Sequence, residues 1–133
     1  MDYTCGNGGN ARQAAKSKSA LAIGIDISDI SIIDAKKIAS DEGLEENTFF
    51  IQGDAENTGL PDNCIDLVLC FGVLHHLDLS YAYFELRRIF KPGRKVLAIE
   101  ALDYNPLIKM YQMTTPDMRT EWRKAHILSY EDL

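Results

Sequence analysis

Cysteine is scarce in this sequence of 133 residues: it occurs three times, as Cys5, Cys64 and Cys70. The count is odd and no pair has the CxxC spacing, so the sequence predicts neither a disulfide framework nor a zinc knuckle. Free thiols without such a pattern are typical of proteins in a reducing compartment. We therefore expect a cytoplasmic protein.

Basic residues and long apolar runs are also scarce. The 14 Lys and Arg residues are outnumbered by 20 Asp and Glu, which gives a net charge of −6. Basic runs do not exceed a pair such as Arg87-Arg88, so a nucleic-acid partner is not expected. An apolar run of about 18 residues, as a membrane span requires, does not occur. The first residues also lack the basic and apolar regions of a signal peptide.

The apolar residues that are present fall into short continuous runs. Such runs are typical of parallel strands that helices cover on both faces. Four strands are predicted on this basis: residues 20–25, which lead to Asp26; residues 49–52, which lead to Gly53-Asp54; residues 65–71; and residues 95–99, which lead to Glu100.

Segments of helical periodicity lie between these runs. Helices are predicted over residues 11–19, 29–40 and 80–90. The second carries Ile30, Ile33 and Ile38 on one side, and Ser80 is the predicted N-cap of the third. Alternation of strands and helices predicts an α/β fold with a doubly wound, mostly parallel sheet and helices on both faces. Loops that follow the strands then form the edge at which ligands bind.

The pattern changes after Glu100. A capping residue precedes a proline at Asn105-Pro106 and again at Thr115-Pro116. Proline suits the first turn of a helix, so short helices are predicted near residues 106–113 and 116–125.

Glycines are concentrated near the start of the chain, at Gly6, Gly8 and Gly9. They permit a tight turn and the close approach of a ligand, and a helix start just beyond offers free N–H groups. Gly6, Gly8 and Ala11 also fit the dinucleotide fingerprint GxGxxA. About twenty residues later, Asp26 can accept both hydroxyls of a ribose, in NAD and in S-adenosylmethionine alike. The simpler alternatives are a glycine turn and a surface Asp or helix cap.

Polar side chains also follow the next two predicted strands. Asp54 is placed to accept a hydrogen bond from an adenine amino group, or it forms a simple turn. His75 and His76 follow residues 65–71. Adjacent histidines point in different directions, so no metal site is expected. Either one is a candidate general base near neutral pH, or it hydrogen-bonds the backbone and shapes the site.

Together these motifs resemble the class I, seven-strand S-adenosylmethionine-dependent methyltransferases, and the resemblance runs from Asp2 to about Glu100. Members usually read acidic-x-Gly-x-Gly-x-Gly in the first loop, where this sequence has Thr4 in place of the first glycine. The family's further motifs fall in order on Asp26, Asp54-Ala55, Phe71-Gly72-Val73 with Leu74-His75-His76-Leu77 as its continuation, and Phe90-Lys91-Pro92-Gly93-Arg94-Lys95.

The resemblance implies a Rossmann-like methyltransferase fold. Residues 1–100 would be the core that binds S-adenosyl-L-methionine, and residues 101–133 a helical lid or acceptor-site segment of the same domain. The implied cofactor-binding residues are Asp2, Cys5, Gly6, Gly8, Asp26, Ile27, Asp54, Ala55, Phe71 and Gly72. The candidate catalytic residues are His75 and His76.

The predicted function is therefore an S-adenosylmethionine-dependent methyltransferase with a small-molecule acceptor. Two alternatives stay open. One is an NAD-dependent oxidoreductase of Rossmann type, which uses the same glycine loop. The other is a non-catalytic remnant that binds the cofactor.

The resemblance also predicts that the chain is cut short at both ends. Only Met1-Asp2-Tyr3 precedes the glycine loop, in the place of a strand that lies in the middle of the class I sheet. We therefore expect an incomplete fold that is marginally stable or associates through open strand edges.

Overall fold

The computed structural model describes residues 1–17 and 21–100, which form a five-stranded sheet flanked by helices. The strands are β1 (Asp2–Tyr3), β2 (Ala22–Asp26), β3 (Thr48–Gln52), β4 (Ile65–Phe71) and β5 (Phe90–Ile99). Their order across the sheet is β3-β2-β1-β4-β5, and every neighbouring pair is parallel. The predicted parallel α/β sheet is confirmed.

β1 lies in the middle of the sheet although it has two residues. Tyr3 pairs with Ile25 of β2 and with Cys70 of β4, and its side chain is almost completely buried. The strand order reverses here, because β2 and β3 lie on one side of β1 and β4 and β5 on the other. Doubly wound folds bind ligands outside the carboxyl ends of the strands at such a point. The loop after β1 therefore lies at the centre of the ligand edge.

Within residues 1–17 and 21–100, three helices cover the two faces of the sheet: α1 (Gly9–Lys16), α2 (Asp29–Asp41) and α3 (Leu79–Ile89). The α1–α2 core, on one face, consists of Cys5, Ala11, Ala15, Ala22, Ile32, Ala35, Ala39 and Phe50. The α3 core, on the other, consists of Tyr3, Ile25, Ala55, Ile65, Val68, Cys70, Val73, Leu74, Leu86 and Ile89. Helices thus lie on both faces, as predicted.

The side of α2 that faces the sheet differs from the predicted one. Ile32, Ala35 and Ala39 are buried, whereas Ile30 and Ile33 are exposed. Both sets repeat every three or four residues, so periodicity alone does not distinguish them. Alanines let a helix approach a sheet closely, and the side that carries them is the one that packs.

The ends of α3 and β5 also differ from the predictions. Asp78, not Ser80, is the N-cap of α3, and its Oδ1 accepts a hydrogen bond from Ser80 N at 3.0 Å. Asp and Ser are equally good N-caps, and both occur here. β5 begins at Phe90, but residues 91–94 leave the ladder, and regular pairing starts where Lys95 lies opposite Leu67. The predicted strand, residues 95–99, is this regular part.

Within residues 1–17 and 21–100, no helix is long and apolar enough to cross a membrane. The three cysteines are free thiols. The predicted helices over residues 106–113 and 116–125 lie outside the described residues.

Candidate functional site

The loop between β1 and α1 turns through three residues with positive φ: Thr4 at 56°, Gly6 at 50° and Gly8 at 77°. A Cβ on Gly8 would lie 2.4 Å from Cε1 of Phe50, so packing under the loop requires glycine there. A Cβ on Gly6 would have no atom within 4 Å. Gly6 therefore presents bare backbone to open space, as the close approach of a ligand requires.

Asp26, at the end of β2, anchors this loop through its carboxylate. Oδ2 accepts a hydrogen bond from Gly6 N at 2.8 Å, and Oδ1 accepts one from Ser28 N at 2.9 Å. A carboxylate has about four lone-pair sites, so each oxygen can accept one bond more. The side chain can thus bind two ribose hydroxyls while it continues to hold the loop.

Asp2 and Cys5 lie beneath the loop rather than on its open side. Asp2 is 3% exposed, and its carboxylate accepts hydrogen bonds from Ala11 N and Asn10 Nδ2, both at 3.2 Å. Burial raises the pKa of Asp2 and raises the pKa of the Cys5 thiol to about 12. Asp2 therefore secures the start of α1, and Cys5 is an unionised side chain that packs under the loop.

The loop after β3 reaches the same edge. Asp54 is exposed, and its Oδ1 accepts a hydrogen bond from Glu56 N at 2.8 Å, which closes a local turn. Ala55 is buried, and its carbonyl oxygen accepts a hydrogen bond from the Tyr3 hydroxyl. Burial raises the pKa of Tyr3, which keeps the hydroxyl protonated. This bond ties the predicted adenine loop to the central strand.

Ile27 and Phe71 are apolar side chains that are exposed to solvent at this edge. Ile27, which follows β2, is 75% exposed, and Phe71, at the end of β4, is 65% exposed. Gly72 comes next with φ at 62°, and a Cβ on it would have no atom within 4 Å. Exposed apolar side chains beside bare backbone suit the flat surface of a bound small molecule.

The two histidines belong to a 3₁₀ turn, Leu74–His76, that follows Gly72. Their ring centroids are 4.0 Å apart. Nδ1 of His75 lies 2.9 Å from Oε2 of Glu100, the residue after β5. Burial, and then the neighbouring His75, lower the pKa of His76, which favours its neutral form. The neutral form of an imidazole is the one that can accept a proton.

Glu100 contacts His75 at this site, but it is not among the site residues predicted from the sequence. A weak signal existed, because Glu100 follows a predicted strand just as Asp26 does. Its hydrogen bonds, however, reach residues 25 to 27 positions away, and the sequence pattern gives no such pairing. Among the described residues, no group of three or more His, Cys, Asp or Glu side chains could hold a metal ion.

The structure thus gathers the predicted residues at one edge but at two depths. Those on the accessible side are Gly6, Asp26, Ile27, Asp54, Phe71, Gly72, His75 and His76, and those buried beneath are Asp2, Cys5, Gly8 and Ala55. The buried group shapes the loops, and the accessible group lies at the surface of the ligand edge.

Comparison with known proteins identifies relatives over this same region. The family profile described as "Methyltransferase domain" matches residues 1–98. Sterol 24-C-methyltransferase of Aspergillus fumigatus is 36% identical over 94 residues, which are 70% of this chain and 25% of that protein. A probable chloroplastic tocopherol O-methyltransferase of Oryza sativa subsp. japonica is 30% identical over 100 residues, which are 74% of this chain and 28% of that protein. The chain spans about a quarter of the length of these relatives.

A solved structure shares the fold. The geranyl diphosphate C-methyltransferase of Streptomyces coelicolor A3(2), solved with Mg²⁺, geranyl diphosphate and S-adenosyl-L-homocysteine, superposes with a TM-score of 0.81 at 16% identity. The match covers 98% of this chain and 48% of that one. At this identity the similarity concerns the fold alone, which is the Rossmann-like methyltransferase fold. Because the family profile covers most of the chain, including every loop of the site, the chain belongs to the methyltransferase-domain family of class I S-adenosylmethionine-dependent methyltransferases.

Proposed function

We propose that this chain is the cofactor-binding part of an S-adenosylmethionine-dependent methyltransferase that acts on a small-molecule acceptor. The observation that carries the proposal is Asp26, which anchors the glycine loop and keeps acceptor sites free at the ligand edge. Family membership supports the reaction class. The names of the relatives, which specify a sterol and a tocopherol, support a small molecule as the acceptor.

The residues at the edge fit S-adenosyl-L-methionine. When bound, the cofactor supplies a methyl group activated by a positively charged sulfonium. Asp26 would hold the ribose hydroxyls and Asp54 the adenine amino group, while Phe71 and Gly72 would line the methionine part. The bare backbone at Gly6 leaves room for the close approach that these contacts need. The chain's main contribution is then to orient the reactants and to exclude water.

Calorimetric titration of the chain tests the cofactor. We expect S-adenosylmethionine and S-adenosylhomocysteine to bind more tightly than NAD, because Asp26 and Asp54 follow the neighbouring strands β2 and β3, in the order in which the family's ribose and adenine sites occur. Tighter binding of NAD would overturn the proposal and favour the oxidoreductase alternative. Binding of neither would show that the chain does not act as a cofactor-binding core.

A pair of glycine variants tests the position of the ligand. Gly6 and Gly43 have similar positive φ, 50° and 67°, and a Cβ on either would meet open space. Gly6→Ala and Gly43→Ala should therefore cost similar stability, but Gly43 lies between α2 and β3, at the opposite edge. We expect only Gly6→Ala to weaken binding of S-adenosylhomocysteine. Equal affinities in the two variants would show that no ligand approaches Gly6.

Asp26→Ala tests the ribose contact. We expect it to weaken binding of S-adenosylhomocysteine by about 1–3 kcal/mol, because ribose hydroxyls would lose their acceptor. Asp29→Ala is the control, since Asp29 is an exposed carboxylate in the first turn of α2. An unchanged dissociation constant in a folded Asp26→Ala chain would exclude the ribose contact.

A further inference from the structure

Glu100 has a carboxylate that meets three hydrogen-bond donors. Its side chain is 4% exposed. Oε1 accepts hydrogen bonds from Val73 N at 2.7 Å and Leu74 N at 2.9 Å, and Oε2 lies 2.9 Å from Nδ1 of His75. The two oxygens therefore have separate tasks: Oε1 holds the backbone of the 3₁₀ turn, and Oε2 holds the ring of His75.

The contact at Oε2 decides which ring nitrogen of His75 carries the proton. An ionised carboxylate only accepts hydrogen bonds, so Nδ1 is the donor. In the neutral ring, Nε2 then keeps the lone pair and can take up a proton. The side chain of His75 is 19% exposed, so the ring is not sealed from a ligand.

We propose that Glu100 is a positioning residue that holds His75, through Nδ1, as the general base of the reaction for an acceptor whose reacting atom carries a proton. The proposal rests on the methyltransferase function proposed above. With a hydroxyl acceptor, Nε2 takes the proton, and the oxygen forms its new bond to the methyl carbon. The electron pair of the broken methyl–sulfur bond stays on sulfur. The imidazolium of His75, beside the Glu100 carboxylate, later gives its proton to water.

Glu100→Gln separates this role from the support of the turn. The amide oxygen of the variant should take the place of Oε1, because Val73 N and Leu74 N both donate there. The amide NH₂ then faces Nδ1 of His75, and an NH₂ group only donates. Nδ1 has to become the acceptor, so the ring proton moves to Nε2. The variant thus keeps the same hydrogen-bonded contacts but loses the lone pair at Nε2.

Two further variants complete the set. Glu100→Asp keeps a carboxylate and should keep the proton on Nδ1, even if the shorter side chain lowers stability. Glu56→Gln is the matched control, because Glu56 also caps a backbone N–H in this region, that of Asp78 at 2.8 Å. It is not a partner of His75, so the His75 tautomer should not change.

The test is proton–nitrogen correlation NMR of the histidine rings in the nitrogen-15-labelled chain, in mildly alkaline solution. His75→Gln assigns the His75 signals by their loss. We expect the His75 proton on Nδ1 in the unchanged chain, in Glu100→Asp and in Glu56→Gln, and on Nε2 in Glu100→Gln. Diethyl pyrocarbonate reacts with the lone pair of a ring nitrogen, here Nε2 of His75. It should modify His75 in the unchanged chain, in Glu100→Asp and in Glu56→Gln, but not in Glu100→Gln.

A proton on Nε2 in the unchanged chain, or the same tautomer in Glu100→Gln, would overturn the positioning role. Modification of His75 in Glu100→Gln as fast as in the unchanged chain would overturn the availability of Nε2 as a base. Failure of the proposed function would be seen separately, as failure of the unchanged chain to bind S-adenosylhomocysteine in the titration.

Discussion

Thr4→Gly should stabilise the chain, because Thr4 is a β-branched residue with φ at 56°. Class I methyltransferases usually have glycine at this position of the loop. The left-handed conformation costs an L-residue roughly 1–2 kcal/mol, and more when the side chain is branched at Cβ. Glycine removes this cost but loses more chain entropy on folding, by roughly 0.5–1 kcal/mol. We expect a net gain of about 0.5–1 kcal/mol.

Asn63→Gly is the matched control for this prediction. Asn63 has φ at 53°, and like Thr4 it is a residue other than glycine in the left-handed region. Asparagine adopts this conformation at little cost, so the variant has the entropy penalty without the relief of strain. Its stability should be unchanged or lower by up to about 0.5 kcal/mol.

Urea denaturation of the two variants and the unchanged chain measures the difference. Thr4→Gly should move the midpoint to higher urea at a constant slope, which indicates a change in stability alone. Thr4→Ala, which keeps a Cβ but removes the branch, should fall between Thr4→Gly and the unchanged chain. A midpoint for Thr4→Gly at or below that of Asn63→Gly would refute the idea that Thr4 stores strain.

Two further predictions concern packing and pH. Gly24→Ala should destabilise the chain by about 1–3 kcal/mol, because its Cβ would lie 2.7 Å from Phe50 Cδ1 and 2.8 Å from Cys5 Sγ. Gly9→Ala is the control, because the nearest atom to its Cβ would be 3.7 Å away. Equal urea midpoints for the two variants would contradict the prediction. The second prediction concerns Glu85, whose pKa is lowered to about 2 by hydrogen bonds from the Arg88 guanidinium and Thr58. The ionised carboxylate therefore stabilises the folded chain at pH values above the unfolded-state pKa of about 4.3. This stabilisation is lost as the pH falls from there towards about 2. Glu85→Gln should therefore lower the free energy of unfolding at neutral pH by about 2 kcal/mol, after allowance for the partly exposed Arg88. It should also make the free energy of unfolding less dependent on pH in this acid range. Equal pH dependence in the variant and the unchanged chain, measured by urea denaturation at acid pH, would show that Glu85 is not the titrating group.

The sequence predicted best those features that depend on neighbouring residues. The strand over residues 65–71 agrees at both ends with Ile65–Phe71, because turn residues border a run that is apolar apart from Asp66. α2 begins at Asp29 as predicted and ends one residue late at Asp41, before Gly43. Asp26 lies at the ligand edge because the end of a parallel strand defines that edge.

Features that depend on distant residues were not predictable from the pattern. The buried side of α2 depends on how closely the helix packs on the sheet, and the predicted side is exposed at Ile30 and Ile33. Glycine is needed at position 24 because of Phe50, which is 26 residues away in sequence and lies opposite Gly24 on the neighbouring strand β3. The bonds of Glu100 to the 3₁₀ turn depend on the pairing of β4 with β5.

The lid over residues 101–133 lies outside the described residues, and the cytoplasmic location and the exclusion of nucleic acid stay predictions. Association through open strand edges is also a prediction, which the mass of the chain in solution tests. An equilibrium between monomer and larger species that shifts with concentration would support it.

The described part of the chain has two cores, and this division has a consequence for the order of folding. Every residue of the α1–α2 core lies between positions 5 and 50, so its contacts join shorter stretches of the chain and can form earlier. The α3 core extends from Tyr3 to Ile89, and it is complete only when β4 lies beside β1, which closes a longer loop at a somewhat higher entropic cost. Since the 3₁₀ turn with His75 and His76 follows β4, the cofactor-loop half of the site can take shape before the half that carries the candidate base.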